Sequence, residues 1–235
     1  MSGITKLLTK NQQWSKQVNP DVLKKASEGQ WPSVLWIGCS DSRCSEASIL
    51  ESELGEVFTH RNIANQFNKN DFNAKSVVDY AINHLNIKEV ALCGHTSCGG
   101  MAASKAVLEG GQADPNSPIT QWLSPFITHC SQLKKEMSIE EITLENINYN
   151  KKNLVEYINN EKIIVKGLLF NIKSEMSNLI KFNQSLNHPL AIEYFKLHPK
   201  RQKIFFGPYL LLNTLGQSLS LTFILAFQLT VSRRG

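Results

Sequence analysis

Cys39, Asp41 and Arg43 stand in the run CSDSR, and His95 and Cys98 stand in the run GHTSC. Each run follows a short apolar stretch, SVLWIG before the first and EVALC before the second. Two thiols and one imidazole are soft or borderline ligands that suit zinc, with an expected Zn–S distance of about 2.3 Å. Three protein ligands leave a fourth position for water, the pattern of a catalytic rather than a structural site. A single free Cys at a strand end is more often a small buried hydrophobe. The His-x-x-Cys pair on one local turn, with Cys39 delivered from a second strand, makes ligation by Cys39, His95 and Cys98 the stronger reading. Cys44, Cys93 and Cys130 lack such a setting and read as structural.

Asp41 and Arg43 are two residues apart, and a surface ion pair between them would be worth little. Because both lie in the loop that delivers Cys39, a role beside the metal is favoured. Arg43 would keep the Asp41 carboxylate ionised and oriented. Asp41 would then accept a hydrogen bond from a metal-bound hydroxide, or take the fourth metal position itself. GHTSCGG has two glycines four residues apart but no following Lys-Ser/Thr, so it is not a phosphate loop. Gly99 and Gly100 read as a helix start where the backbone passes close to a ligand. Zinc with two thiolates and a neutral imidazole is formally neutral and acidifies its water less than a three-imidazole centre, where the water pKa is about 7. Activity is therefore expected to rise on the alkaline side of neutral.

The elements that must position these residues can be read from the apolar pattern. Ser33–Cys39, Glu56–Arg61, Glu89–Cys93 and Lys162–Phe170 read as strands, the first being short, apolar and preceded by Pro32. Val77, Val78, Ala81, Ile82 and Leu85 fall on one helical face within 74–85, and Asn86 ends that helix. Gly99–Leu108 reads as a helix closed by Gly110 and Gly111. The stretches 119–137 and 139–160 read as largely helical, and 1–30 as polar with weak helical spacing around Trp14 and Val18–Leu23. Strands alternating with helices imply an α/β fold with a central, mostly parallel sheet flanked by helices. Ligands of such sheets bind beyond the carboxyl ends of the strands, where both motif runs stand.

The chain has 235 residues, 42% of them apolar and 19% charged, which is the composition of a globular protein and not of a disordered one. A net charge of +5 with scattered Lys and Arg gives no case for nucleic acid. Five cysteines, an odd number, and no apolar signal core in the first residues point to a reducing, cytoplasmic setting. The lack of Arg in the first forty residues argues against an organelle-targeting peptide. Ile204–Ser232 carries no charged residue and is long enough to span a bilayer, but its Asn213, Gly216, Gln217 and Gln228 weigh against a membrane contact.

WIGCSDSR (36–43), GEVFTHRNIAN (55–65), SVVDYA (76–81) and CGHTSCGG (93–100) together resemble the β-class carbonic anhydrases, in the fungal style, over roughly 11–171. The resemblance implies one zinc per subunit on Cys39, His95 and Cys98, with Asp41 and Arg43 as the dyad beside it. It implies reversible hydration of carbon dioxide to bicarbonate and a proton, by attack of zinc-bound hydroxide. It also implies a small, mostly apolar pocket walled by Gln30, Phe58, Ile63, Tyr80 and Gly99. In relatives that pocket is built across a dimer interface, so a homodimer or dimer of dimers is expected. Gln30 favours the openly accessible subtype over the bicarbonate-gated one.

Ser45 and Leu54 depart from the family's usual prolines. The larger departure follows Asn171, where KSEMSNLIKFN replaces the usual glycine turn and short last strand. The resemblance therefore decides nothing about an edge strand in this segment. The reading is a zinc domain over 1–171 and an atypical extension of unknown structure over 172–235, whether a tail anchor, an added helical layer or a poorly ordered extension. Hydrolysis of a CO₂ analogue such as carbonyl sulfide, and a non-catalytic zinc module, are the competing functions. The intact dyad and the missing fourth protein ligand argue against the second.

Overall fold

The structure, a computed structural model, describes residues 2–133, 136–172, 180–183 and 192–194. The chain starts with two helices, α1 (Gly3–Gln17) and α2 (Pro20–Glu28). Ser2 caps the first through the Thr5 amide, and Asn19 followed by Pro20 starts the second. The weak apolar spacing read in this region is thus two formed helices, yet neither buries a residue within the chain. Ile4, Leu7, Leu8 and Trp14 remain exposed.

Strands β1 (Val34–Cys39), β2 (Val57–Asn62), β3 (Glu89–His95) and β4 (Ile164–Phe170) are mutually parallel. They lie in the order β2-β1-β3-β4 and carry two antiparallel strands, β5 (Ile180–Asn183) and β6 (Ile192–Tyr194), on the β4 side. The segment after Asn171, which the resemblance left open, does supply a neighbour for β4: Phe170 pairs with Ile180 and Gly167 with Asn183. Backbone donors and acceptors on an open strand edge favour pairing whatever the local composition, so the polar KSEMSN stretch did not reveal it. The uncharged run 204–232 lies outside the described residues. Among the described residues no helix is long and apolar enough to cross a membrane.

The central strands β1 and β3 are buried on both faces, as strands of parallel sheets are. Leu35, Ile37, Val90 and Leu92 pack on one side with Ala74, Val78, Ala81, Ile147 and Leu154. Trp36, Ala91, Cys93, Leu168 and Phe170 form the other side with Cys44. Between β1 and β2 stands the short helix α3 (Glu46–Leu50), and α4 (Phe72–Asn83) follows β2. Asp71 caps α4, whose Ala74, Val78 and Ala81 recur at helical spacing, and Asn86 turns the chain toward β3 at a φ of 56°. Helix α5 (Gly99–Leu108) follows β3, and α6 (Pro118–Gln132) ends short of the expected Met137. Helix α7 (Ile139–Ile158) opens with a capping box between Ser138 and Glu141 and closes at Asn159, φ 43°.

The register decides the site. Gly38 pairs with Cys93, so Cys39 and the Gly94–His95 end of β3 emerge side by side at the carboxyl edge. A third apolar cluster of Cys39, Ala64, Cys98, Met101, Leu123 and Phe126 closes over that edge.

Candidate metal centre

Cys39 is the last residue of β1, His95 the last of β3, and Cys98 caps α5. Ser97, with φ 59°, makes the left-handed turn that brings Cys98 back beside His95. All three are buried, and their ligand atoms lie within 4.8 Å of one another. His95 Nδ1 is 3.0 Å from the Thr96 carbonyl, which can only accept, so Nδ1 donates. In a neutral ring the lone pair is then on Nε2, which is buried and has no hydrogen-bond partner. A buried ring nitrogen grouped with two thiol sulfurs within 4.8 Å is a donor set that fits a metal ion. The loop is fixed to β4 by Thr96 N donating to Phe170 O (3.0 Å) and Ile172 N donating to Thr96 Oγ1 (2.9 Å).

The metal-free ligands share protons. A hydrogen bond from the Cys98 thiol lowers Cys39 to about 4 against the effect of burial, helped by His95 and by the Asp41 and Ala64 amides. Cys98, as the donor in that bond, is pushed well up. Burial works to lower His95, but the neighbouring sulfurs of Cys39 and Cys44 favour the protonated ring and raise it to about 10. Cys44, read as structural, thus lies against the imidazole of a predicted ligand. Cys93, fully buried inside β3, is pushed up by desolvation as an inert thiol would be.

Asp41 and Arg43 form a two-pronged pair. Arg43 Nε donates to Oδ1 at 2.9 Å, Nη2 to Oδ2 at 2.7 Å, and the Arg43 amide to Oδ1 at 2.9 Å. Those hydrogen bonds hold Asp41 well below the usual carboxylate range. Asp41 Oδ2 lies 3.9 Å from His95 Nε2, and Arg43 Nη2 also reaches the Ser97 carbonyl at 3.3 Å. The pair is therefore tied to both metal-bearing loops.

Arg61 was not picked out from the sequence. From β2 its Nε donates to Cys39 O at 2.9 Å and its Nη2 to Asp41 O at 2.7 Å, with Glu46 Oε2 4.0 Å from Nη1. It clamps the backbone of the loop that presents Cys39. The signal was present in HRNIAN, from which only the apolar Ile63 was taken.

The predicted pocket residues fall into sets. Phe58 and Tyr80 stack at 5.8 Å, and Tyr80 stacks on His84 at 5.0 Å. Ile63 lies against Gly100 at the start of α5, next to Gly99, around which there is open space. Ile63 and Tyr80 are 43% and 46% exposed in the single chain, so these apolar walls lack a cover here. Gln30 is exposed between α2 and β1. His60 is half-buried in β2 with Nε2 3.2 Å from Asn62 Nδ2, and burial lowers its pKa.

The sequence profile of the family described as carbonic anhydrase matches residues 34–198. A carbonic anhydrase of Emericella nidulans is 40% identical over 113 residues, covering 47% of this chain and 50% of the relative. One from Candida albicans is 46% identical over 99 residues, covering 42% of this chain and 33% of the relative. The matches thus span half or less of these relatives' lengths. Among solved structures, a tetrameric β-carbonic anhydrase of the filamentous ascomycete Sordaria macrospora superposes with a TM-score of 0.63 at 34% identity, covering 72% of this chain and 92% of that one.

Proposed function

The chain belongs to the β-class carbonic anhydrase family, and from that premise we propose that it catalyses the reversible, zinc-dependent hydration of carbon dioxide to bicarbonate and a proton. The observation that carries this reading is the buried Cys39–His95–Cys98 set with a free imidazole nitrogen, beside a carboxylate held by arginine. Zinc held by these three residues supplies a Lewis acid that makes water nucleophilic near neutral pH. The chain's own residues do the rest. The Thr96 carbonyl fixes the His95 ring. Arg43 keeps Asp41 ionised and turned toward the site, so that its carboxylate would accept a hydrogen bond from the reacting water and aim that water's lone pair. With both its oxygens engaged by Arg43, Asp41 serves as this orienting acceptor rather than as a fourth ligand.

Gln30, Phe58, Ile63, Tyr80 and Gly99 form the pocket of this reading, closed by a second copy of the chain. The exposed Ile63 and Tyr80 support a homodimer or dimer of dimers. The Sordaria relative's tetrameric state agrees with it. Every residue assigned a role lies within 1–171, taken as the zinc domain, with 172–235 as an extension. Five free thiols suit a cytoplasmic location.

The deciding experiment measures metal content and stopped-flow CO₂ hydration on one purified sample of the full chain. One zinc per chain with a rate far above the buffer background is expected. A zinc-loaded protein with no rate above background would leave only a binding role. Sedimentation on the same sample reads the oligomer.

A further inference from the structure

Ile63 stands on an irregular turn that runs from Asn62 to Phe67. The turn contains two consecutive left-handed residues, Ala64 (φ 61°) and Asn65 (φ 47°). Left-handed backbone at non-glycine residues persists only where the surroundings over-determine it. Ala64 is fully buried in the apolar cluster that also holds Cys39 and Cys98. Ile63 Cγ2 lies 3.6 Å from where a Cβ on Gly100 would stand, and the space around neighbouring Gly99 is open.

Two successive carbonyls of this turn are pinned by two different helices, neither of which supplies a metal ligand. Trp122 of α6 donates from Nε1 to the Ile63 carbonyl at 2.9 Å. Asn146 of α7 donates from Nδ2 to the Ala64 carbonyl at 3.0 Å, and Gln66 Nε2 donates to the same oxygen at 2.8 Å. Further along, Asn150 Oδ1 accepts from Phe67 N at 2.7 Å. Asn146, Asn150 and Gln66 are buried, and a paired set of buried amides makes its surroundings rigid. The Ala64 end of the turn is thus held from α7 and the Ile63 end from α6. The Trp122 ring itself packs on the Cys39–Ala64–Cys98 cluster, which fixes the direction of its N–H. Carbon dioxide carries no net charge and no permanent dipole, so an apolar wall holds it by contact alone. Contact attraction is short-ranged: a gap of about 0.5–1 Å forfeits about a quarter to a half of it. The placement of the wall is therefore a direct lever on substrate binding.

We propose that Trp122 is a positioning residue for the substrate pocket: through its hydrogen bond to the Ile63 carbonyl it fixes the Ile63 side chain against the Gly99–Gly100 end of α5. This rests on the reading of Ile63 and Gly99 as walls of a carbon dioxide pocket. Without the indole N–H the Ile63 carbonyl loses its anchor on α6, while the Ala64 carbonyl stays held. The turn then swings about its fixed end, and the wall moves away from the substrate. Such a change weakens contacts made alike in the bound state and in the transition state, so it raises KM and spares kcat.

The test uses the full-length, zinc-loaded chain with Trp122→Phe, which keeps a ring on the cluster and removes the donor. The KM for CO₂ should rise about three- to tenfold, the range that one neutral hydrogen bond covers, with kcat changed less than about twofold and zinc content unchanged. The δ1-methyl NMR signal of Ile63, assigned by its absence in Ile63→Val, should shift. Asn146→Leu removes the donor to the next carbonyl and should move KM and the methyl signal as well. It decides the matter if Trp122→Phe does not fold. Gln121→Leu, the neighbour on α6, loses a bond to Pro115 O and should leave both readouts unchanged. A folded variant with wild-type KM and an unmoved Ile63 signal overturns the proposal, as does a fall in kcat at constant KM. A shifted Ile63 signal at wild-type KM overturns instead the pocket reading beneath it, and a wild-type chain that hydrates no CO₂ overturns the function.

Discussion

Gly100 and Ala64 should be energetically coupled, and the size of that coupling follows from their contact. A methyl on Gly100 would sit 2.8 Å from Ala64 Cβ, while Ile63 Cγ2 at 3.6 Å and Leu123 Cδ2 at 3.8 Å are ordinary neighbours. Carbon atoms pack best at roughly 3.5–4.0 Å, so the overlap is about 1 Å and falls on one atom. Ala64 has no room to withdraw, since its carbonyl is held by Asn146 and Gln66. Gly100→Ala should therefore cost about 1–3 kcal/mol, the usual range for overpacking, less up to about 1 kcal/mol for better helix propensity. Ala64→Gly should be close to neutral. It loses about 0.8 kcal/mol of methyl burial and gains a comparable amount by placing glycine at a left-handed φ. In the double variant the overlap is gone, so the two changes should show a favourable coupling of about 1–3 kcal/mol. The assay is urea unfolding of wild type, both single variants and the double, at one protein concentration so that assembly does not shift the midpoints. Additivity within about 0.5 kcal/mol would refute the idea that Ala64 is pinned against α5.

Other expectations concern the ligands and the groups around them. Cys98→Ser should lose zinc and activity together, read by metal analysis and stopped-flow. Asp41→Asn should retain most of its zinc and lose turnover, and unchanged turnover would refute its orienting role. The folded pKa of Asp41 lies below the unfolded value, so its pairing with Arg43 is complete above about pH 4 and is lost only as pH falls through the folded value. Rate profiles above pH 5 should thus show no inflection from Asp41. Zinc binding near pH 8 should release protons from His95 and from the Cys39–Cys98 pair, which share a hydrogen bond in which one sulfur is favoured as thiolate and the other as thiol. Titration calorimetry in buffers of different ionisation enthalpy counts them. Arg61→Met should lower zinc affinity about tenfold by freeing the Cys39 and Asp41 carbonyls, with little loss of secondary structure by circular dichroism.

The parallel core of the sheet was legible because β1 and β3 are short apolar runs that end in polar, chemically distinctive residues. The metal ligands were legible because a strand end fixes a direction, and CSDSR and GHTSC put their sulfur and nitrogen donors just beyond it. The support shell was not. Asn146 and Asn150 look like ordinary polar positions of a long helix, and only the tertiary fold reveals that they point inward, Asn146 at the Ala64 carbonyl and Asn150 at the Phe67 amide. Arg61 reads as a strand residue with a solvated end until the register sets β2 beside β1, where its guanidinium reaches the next loop. The strands β5 and β6 were missed for a different reason. Their pairing is a property of the backbone edge offered by β4, and the side chains of 172–183 show no alternation that announces it.

The far nitrogen of His95 is tied to a peptide carbonyl, a group that carries no charge. A carboxylate in that place would have pushed the occupied centre below electroneutrality, and an arginine or lysine would have pushed it above. With a peptide oxygen there, two thiolates would cancel the charge of a bound dication, and anions would feel little long-range pull toward it. Halides, nitrate and the reaction's own anionic product would then be retained only through short directional contacts, and they should come and go quickly.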